Sequence, residues 1–431
     1  MTRQDAEDYI YASYMKAAPY LKYDKPDSVK RHPEYTRDII RRLHRGNISV
    51  SVTGSKGKGS AAYMLSEILR LYGRTGLMTG PHIRSFNERF RVDGSLISDE
   101  EFTDTVSSLK PEFDAVAGGL PKEAFISPIG IETAIAESFF AAHDTVYDIY
   151  ECGKGVRYDD VSNVPADHAL INTIFLEHTR ELGSTLDEIA DNKSYVIQEG
   201  MKGVYIGRQE ISVSEVLTER AVKKGVPVSI YGADFEAFKI RYGKDGMRCD
   251  VRTAKRYYKD LFIPLMGSHQ CMNLALAIVA AEDIIGDRFC ENDEADEKLR
   301  TVLRQLSWYG RLSVISREPV ILIDCCVNRI SAGTAIEAAR ELGIDDAVFI
   351  LAIPDDKDYL GVADAVNKAG YGIALTKVSN PYYRFEGIQK EILEKRGIDC
   401  VYKASLSEAL DDIKGSKVIL GTTDMLREIG R

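Results

Sequence analysis

A glycine-rich turn between an apolar strand and an amphipathic helix is the first feature of this sequence with residue types suited to chemistry. The turn, GSKGKGS, runs from Gly54 to Ser60, after the alternating apolar residues of Ile48–Val52. Glycines let several backbone N–H groups point inward, and a helix N-terminus favours a bound anion. Lys58 would contact the outer phosphates of a nucleotide, and the Ser60 hydroxyl would ligate Mg²⁺. The turn therefore predicts a nucleotide phosphate site.

The spacing of this turn differs from the usual Walker pattern. That pattern places four residues between the first glycine and the Gly-Lys pair, whereas only Ser55 and Lys56 lie there in this chain. The alternative is a glycine-rich turn that binds no ligand. The order of strand, Gly-Lys-Gly-Ser and helix favours the phosphate site, whose predicted contacts are Gly54, Ser55, Gly57, Lys58, Gly59 and Ser60.

Three more residues with chemical potential follow predicted strands or lie on a nearby helix. They are Glu151, His178 and Lys193. Because the carboxyl ends of parallel strands meet at one edge of a sheet, we expect them to converge with the turn in one crevice. Mg²⁺ prefers hard oxygen ligands, which Ser60 and Glu151 supply. Residue type alone leaves His178 open between metal ligation and hydrogen bonding, and it favours a solvated helix charge for Lys193.

Strands and helices alternate over most of the chain, which predicts an α/β fold with a doubly wound, mostly parallel sheet. Residues 1–47 are predicted to be helical, and an antiparallel hairpin is predicted within residues 235–264. A new strand–helix series begins at Val320. We therefore predict a P-loop domain over residues 1–317 and a smaller α/β domain over residues 318–431.

The segment Lys22–Pro33 has the sequence KYDKPDSVKRHP and is basic. Such a charge run between two predicted helices is typical of a solvated connector. Contact with a substrate is the alternative interpretation.

Length, charge and cysteine content limit the classes of protein to which this chain can belong. A length of 431 residues suggests two or three domains, and the net charge of -10 argues against nucleic-acid and anionic-membrane partners. No apolar run reaches the ~20 residues that span a bilayer, and the N-terminal residues do not resemble a signal peptide. The seven cysteines include no CxxC pair, which favours reduced thiols. We expect a cytoplasmic protein.

Several motifs in the correct order resemble folylpolyglutamate synthase and dihydrofolate synthase, within the Mur ligase superfamily. The first is Thr53–Ser60, followed by PHIRSFNERFRVDGSLISDEEF. The resemblance covers nearly the whole chain. The other motifs are Glu151–Arg157, Glu177-His178-Thr179 with Leu182-Gly183, Asn192-Lys193, His269-Gln270 with Asn273, Trp308–Leu312, Asp324, and Asp356–Tyr359.

The resemblance implies an ATP- and Mg²⁺-dependent amide ligase with a C-terminal Rossmann-like domain. In that family a substrate carboxylate attacks the γ-phosphate, and an amine, glutamate in the folate enzymes, attacks the resulting acyl phosphate. The positive charge of the turn would neutralise the transferring phosphoryl group. The resemblance assigns Lys58, Glu151, His178 and Lys193 to catalysis, the last as a carbamate that supports a second metal ion. By the same resemblance the metal site comprises Ser60, Glu151, His178 and Lys193, and the further nucleotide contacts are Asn273, Arg311 and Asp324.

Three positions depart from the family pattern. The family's Thr-Ser-Pro-His has Gly80 at its second position, so a serine that helps to ligate the second Mg²⁺ is absent. Val156 replaces a glycine, and Val327 replaces the histidine of Asp-Gly-Ala-His-Asn. These departures lie at the metal, substrate and nucleotide edges of the site.

The default prediction is addition of L-glutamate to a folate by a monomeric enzyme that uses ATP and Mg²⁺. A Mur-type ligase for another carboxylate metabolite or cofactor, for example a tetrapyrrole, is an alternative within the superfamily. A non-catalytic nucleotide-binding partner subunit is the alternative from a different class, motivated by Gly80 and Val327.

Overall fold

The computed structural model describes residues 1–21 and 25–430 of the chain. Its contacts divide the chain into two compact units. The first unit comprises Met1–Phe238, Val251–Tyr258 and Met272–Leu303. The second comprises Lys239–Asp250, Lys259–Cys271 and Arg304–Arg431.

The first unit is built on an eight-stranded sheet with the strand order β4-β3-β2-β5-β1-β6-β7-β8. Neighbouring strands from β2 to β8 pair in parallel, whereas β3 and β4 are antiparallel additions at one edge. The strands are β1 Ile48–Thr53, β2 Thr75–Met78, β3 Phe90–Val92, β4 Ser95–Leu96, β5 Tyr147–Glu151, β6 His168–Ile171, β7 Gly203–Ile206 and β8 Val228–Ile230.

The helices that accompany this sheet include the one predicted directly after the glycine-rich turn. Ser98 caps α5 through the backbone N–H of Glu101, as its capping-box sequence predicts. Residues 22–24 of the predicted basic loop lie outside the described residues, and α2 forms just after them. The helices are α1 Arg3–Ala17, α2 Asp27–Lys30, α3 Glu34–Leu43, α4 Lys58–Leu69, α5 Asp99–Gly118, α6 Pro128–Ala142, α7 Leu186–Ser194, α8 Ile211–Lys224, α9 Ser268–Ile285 and α10 Asp293–Arg304.

The second unit contains a six-stranded sheet with the order β12-β13-β17-β14-β15-β16. All neighbours in it pair in parallel except the hairpin of β12 and β13. Its strands are β12 Ser313–Arg317, β13 Val320–Asp324, β14 Val348–Ala352, β15 Gly372–Leu375, β16 Val401–Tyr402 and β17 Lys417–Gly421. Its helices are α11 Arg329–Glu341, α12 Tyr359–Lys368, α13 Gln389–Glu394, α14 Leu406–Asp412 and α15 Thr423–Ile429.

The predicted division of the chain after residue 317 falls inside the β12–β13 hairpin. Because the two strands hydrogen-bond to each other, the segment from Arg304 onward joins the second unit. The division into domains 1–317 and 318–431 stays a prediction, and the two compact units have different boundaries.

The predicted hairpin within residues 235–264 is a three-stranded sheet with the order β11-β10-β9. Its strands are β9 Glu236–Gly243, β10 Gly246–Arg252 and β11 Tyr257–Ile263. The turn between β9 and β10 uses Gly246 at φ 153°. A Cβ there would lie 2.1 Å from the carbonyl oxygen of Ile263, so the close approach of the end of β11, together with the positive φ, requires glycine.

The core of the first unit lies on both faces of the parallel strands. Helix α4 is buried along its length from Gly59 to Leu69, as expected for a helix against the centre of a doubly wound sheet. This architecture confirms the predicted fold class, a mostly parallel P-loop sheet with a smaller α/β sheet C-terminal to it. Within residues 1–21 and 25–430, no helix is long and apolar enough to cross a bilayer.

Candidate active site

Four neighbouring strands of the first unit end at the same edge of the sheet. The parallel register pairs Val52 of β1 with Glu151 of β5 and Met78 of β2 with Tyr150. On the other side of β1, Thr53 pairs with the last residue of β6. The glycine-rich turn, Glu151 and the residues after β6 are therefore brought together, as the sequence predicts for a ligand crevice.

The turn after β1 bends onto α4 through Gly57, which has φ 83° and caps the helix. Ser55 anchors the turn, because its N–H donates to the Thr173 carbonyl at 2.8 Å and its hydroxyl exchanges hydrogen bonds with the backbone of Phe175. The Lys58 ammonium donates to the Gly54 carbonyl oxygen at 3.2 Å. The N-terminus of α4 and this ammonium provide the positive end that a phosphate group requires.

A pair of buried asparagines packs directly against the glycines of the turn. Nδ2 of Asn172 donates to Oδ1 of Asn273 at 2.7 Å. A Cβ on Gly57 would lie 2.6 Å from Nδ2 of Asn172 and 3.0 Å from Oδ1 of Asn273. A Cβ on Gly54 would lie 2.8 Å from Cβ of Asn172. Both glycines are thus required by the close approach of β6 and α9 as well as by their positive φ.

Lys193 of α7 is fully buried under the turn. Its Nζ donates to the carbonyl oxygens of Gly54 at 3.0 Å and Lys154 at 2.7 Å, and it lies 3.1 Å from Oε1 of Glu177. Burial and the neighbouring charge of Lys58 lower the pKa of Lys193 to about 8. The interpretation of Lys193 as a solvated helix charge, favoured by residue type alone, is therefore wrong.

Glu151 lies at the end of β5 with 9% of its surface exposed. Its Oε2 accepts a hydrogen bond from the N–H of Gly80 at 3.0 Å. A Cβ on Gly80 would lie 3.2 Å from Nη1 of Arg89, which forms an ion pair of 2.6 Å with the buried Glu132. The glycine that replaces the family's serine thus leaves room for the guanidinium of Arg89, whose side chain is 12% exposed.

His178 stands on the turn that follows Glu177 and has φ 46°, an uncommon conformation for a residue with a side chain. Its carbonyl accepts the N–H groups of Glu181 and Leu182, which fixes the turn. Although 42% of its side chain is exposed, partial desolvation lowers the pKa of His178, which favours the neutral imidazole. A neutral imidazole can accept a hydrogen bond or ligate a metal ion.

These side chains line a cavity of about 300 Å³ beside the turn. Its charged and ligating members are Lys58, Arg89, Glu151, Lys154, Glu177 and His178. Met78, Pro81 and Ile129 form an apolar part of the cavity wall. A cavity that joins a phosphate-binding turn to charged and apolar walls has the features of a small-molecule site.

The donor set at the turn fits Mg²⁺ that is shared with a nucleotide. The Ser60 hydroxyl is buried in the first turn of α4, and Glu151 presents a carboxylate. Within the part of the chain that the structure describes, no three His, Cys, Asp or Glu side chains are grouped to hold an ion. Mg²⁺ usually keeps several waters and takes one or two carboxylates plus phosphate oxygens, so a sparse set suffices.

Two of the predicted nucleotide contacts, Arg311 and Asp324, belong to the second unit. Nη1 of Arg311 donates to the Gly310 carbonyl oxygen at 3.2 Å. Oδ1 of Asp324 accepts the N–H of Leu312 at 3.0 Å, which ties the start of β12 to the end of β13. Their nucleotide roles stay predictions.

The family model for the Mur ligase middle domain matches residues 52–281, which is more than half of the chain. The chain belongs to the Mur ligase family. This membership confirms the superfamily predicted from the motifs. The matched range contains the glycine-rich turn, Glu151, His178, Lys193 and Asn273.

Curated relatives match along most of their length. The dihydrofolate synthase/folylpolyglutamate synthase of Bacillus subtilis is 28% identical over 92% of this chain and 89% of its own. The folylpolyglutamate synthase of Lacticaseibacillus casei is 26% identical over 86% of each chain.

Solved structures share the Mur ligase fold. A folylpolyglutamate synthase of Mycobacterium tuberculosis, solved with ADP and AMPPCP, superposes with a TM-score of 0.84 at 24% identity, over 93% of this chain and 95% of the other. An FPGS–AMPPCP–folate complex gives a TM-score of 0.83 at 24% identity, over 100% of this chain and 98% of the other. At these identities the likeness establishes the fold.

The motifs did not single out three residues that the structure places around the crevice. Asn172 packs against Gly54 and Gly57 of the turn, and its position directly after β6 was the available signal. Lys154 lines the cavity, although within its motif it had no assigned role. Asp27 contacts Lys154 from a segment interpreted as a solvated connector, and no local sequence pattern indicates that contact.

Proposed function

We propose that this member of the Mur ligase family is an ATP- and Mg²⁺-dependent ligase that adds L-glutamate to a folate through an amide bond, releasing ADP and phosphate. The observation that carries the proposal is the cavity beside the glycine-rich turn, where Lys58 and Glu151 line one space. The names of the Bacillus subtilis and Lacticaseibacillus casei relatives support the choice of folate and glutamate.

The reaction requires a phosphoryl transfer followed by an acyl transfer. A carboxylate oxygen of the acid attacks the γ-phosphorus, and the bond to the bridging oxygen breaks as ADP leaves. The amine nitrogen then attacks the acyl carbon, loses a proton and expels phosphate. Two anions must approach each other in the first step, so fixed positive charge lowers its barrier.

The chain's own residues meet this requirement at the turn. Lys58 and the backbone N–H groups at the start of α4 hold the transferring phosphoryl group, and the dipole of α4 favours its charge. Ser60 and Glu151 would hold Mg²⁺, which would supply charge neutralisation at the phosphates. The neutral imidazole of His178, whose pKa is lowered, can ligate a metal ion or accept a hydrogen bond at the cavity wall.

Lys193 acts as a metal ligand only if its nitrogen carries a carbamate. An ammonium has no lone pair, whereas a carbamate would offer two anionic oxygens. Formation needs the neutral amine, and burial together with Lys58 favours that form by lowering the pKa of Lys193 to about 8. We propose this modification for the active enzyme.

The test is a mass-spectrometric assay with ATP, Mg²⁺, L-glutamate and tetrahydrofolate. We expect a product heavier by one glutamyl residue, with ADP release that depends on the folate. Lys58→Met is the inactive control. If the parent protein shows no folate-dependent ADP release and forms no glutamylated product, the folate assignment is rejected.

A ligase for another carboxylate is the second candidate, and Gly80 is the observation that favours it. The cavity wall that carries a serine in the family pattern here accommodates the Arg89–Glu132 ion pair. ADP release with a different carboxylate, such as a tetrapyrrole acid, and none with folate would select this candidate.

A non-catalytic nucleotide-binding subunit is distinguished by the absence of ADP release with every acid, alongside retained binding of AMPPCP.

The proposal for the ligase also includes a monomeric state, glutamate as the amine and a cytoplasmic location. Analytical ultracentrifugation tests the first of these.

A further inference from the structure

Lys154 is a cation of the cavity wall that the reaction described above leaves without a role. Its backbone is fixed on three sides. Asp159 accepts the N–H of Gly153 at 2.7 Å, Lys193 donates to the carbonyl of Lys154, and Oδ1 of Asn192 accepts the N–H of Val156 at 3.1 Å. The side chain therefore leaves the loop after β5 at a defined place in the wall.

Two carboxylates hold the ammonium of Lys154, a residue that lines the cavity. Its Nζ lies 3.4 Å from Oδ2 of Asp27 and 3.3 Å from Oε1 of Glu181, and the side chain is 25% exposed. Asp27 is buried and is also 3.8 Å from both Lys30 and Arg31, so its charge is divided among three cations. Glu181, which pairs with Lys154, balances its charge, so the network fixes the position of the ammonium through two contacts of 3.4 and 3.3 Å.

The contact distances leave capacity for a further anion. A charge-assisted N–H···O⁻ bond is about 2.7–2.9 Å long, and both carboxylates lie farther from Nζ than this. An ammonium has three donor hydrogens that rotate to suit an incoming acceptor. A carboxylate that enters the cavity can therefore make the closest of the contacts of Lys154.

The other cations of the cavity wall have defined partners or tasks. Arg89 is committed to Glu132 at 2.6 Å and donates from Nε to Nδ1 of His82 at 3.1 Å. Lys58 stands on the phosphate-binding turn. His178 is the residue proposed above to ligate a metal ion or accept a hydrogen bond. Lys154 is the cation that these tasks leave for the acid substrate.

We propose that Lys154 is a specificity-determining residue that binds an anionic group of the acid substrate other than the carboxylate that attacks ATP. The proposal rests on the proposed ligase function. A tightly paired carboxylate is a poorer nucleophile, so an ammonium held by Asp27 and Glu181 suits a group that does not react. The acid is accordingly one with at least two anionic groups, and the segment Asp27–Arg31 is part of its binding site.

Steady-state kinetics with tetrahydrofolate, which carries two carboxylates, provides the first test. Removing one charge-assisted hydrogen bond predicts a rise of about tenfold to hundredfold in KM for the folate in Lys154→Met. The KM for ATP should stay unchanged, and Lys154→Arg should recover part of the loss. Lys223→Met, which removes an exposed lysine paired with Glu219, is the matched control.

Fragment binding tests the same inference without relying on folate. In thermal unfolding at matched ionic strength with AMPPCP present, glutarate should raise the Tm of the parent protein more than butyrate does. This preference should disappear in Lys154→Met. Lys154→Gln keeps a polar side chain, should show the same loss, and serves as the test if the methionine variant does not fold.

The outcomes separate the inference from the proposed function. Equal effects of glutarate and butyrate on the parent protein would overturn the role of Lys154, as would a raised KM for ATP with an unchanged KM for folate. A glutarate preference that depends on Lys154, in a protein that does not glutamylate folate, would reject the folate assignment and support the inference.

Discussion

Gly57→Ala is expected to destabilise the protein and weaken nucleotide binding through one identifiable clash. Gly57 has φ 83°, and an alanine Cβ there would lie 2.6 Å from Nδ2 of Asn172 and 3.0 Å from Oδ1 of Asn273. The left-handed backbone costs an alanine about 1–2 kcal/mol. Separating the buried asparagine pair adds about 1–3 kcal/mol, giving a total loss of about 2–5 kcal/mol.

Gly225→Ala is the matched control for this substitution. Gly225 caps α8 in the same unit at φ 67°, and nothing lies within 4 Å of the position of its Cβ. This variant therefore carries only the backbone cost of about 1–2 kcal/mol. The difference between the two losses isolates the clash with the asparagine pair.

Urea unfolding measures the stability of both variants, and calorimetric titration with AMPPCP measures binding. We expect at least a tenfold weaker affinity in Gly57→Ala, because moving this residue turns the first N–H groups of α4 away from the phosphates. When Asn172→Ala is combined with Gly57→Ala, most of the stability loss by which Gly57→Ala exceeds Gly225→Ala should disappear. Equal losses in Gly57→Ala and Gly225→Ala, with unchanged AMPPCP affinity, would refute this account of the turn.

Three further predictions concern single side chains. Lys58→Met should lower folate-dependent ADP release by at least about a hundredfold with unchanged circular dichroism, because the transferring phosphoryl group loses its ammonium; near-parental turnover would contradict the phosphate role. In ¹³C-bicarbonate, the parent protein should give a carbamate NMR signal that is absent from Lys193→Gln, and a signal that persists in the variant would place the carbamate elsewhere. The pKa of Asp148 is raised by burial from its usual 3.8 to about 6, so the folded state keeps this proton longer than the unfolded chain as pH rises. Its ionisation should thus remove about 3 kcal/mol of stability as pH rises from about 4 through about 6. Asp148→Asn should flatten this part of the urea-unfolding profile, and an unchanged slope would count against the assignment.

The strands, the turn and the order of the motifs could be predicted because each depends on residues close together in sequence. The pattern Ile48–Thr53 followed by GSKGKGS specifies a strand, a turn and a helix by local propensity and glycine content. The capping box at Ser98 is likewise a local signal. Predictions of this kind needed no knowledge of the tertiary structure.

The division of the chain and the state of Lys193 depend on distant contacts. The hairpin of β12 and β13 spans the predicted boundary because strand pairing, which the apolar pattern does not specify, joins the two segments. Lys193 is buried because α7 packs its side chain under Gly54 and Lys154. A lysine on a short helix carries no local sign of such burial.

The sequence by itself determined that a phosphate-binding turn stands at the start of α4, with a carboxylate and an imidazole after later strands. Only the tertiary structure decided which partners each cation of the cavity wall has, and that the ion pairs of Lys154, at 3.3 and 3.4 Å, are longer than the 2.6 Å pair of Arg89 with Glu132. Asp27 and Lys154 are far apart in sequence, yet their ion pair fixes the ammonium in the wall. Electrostatic partnership depends on distance in space, so the role proposed for Lys154 could be inferred only from the folded chain.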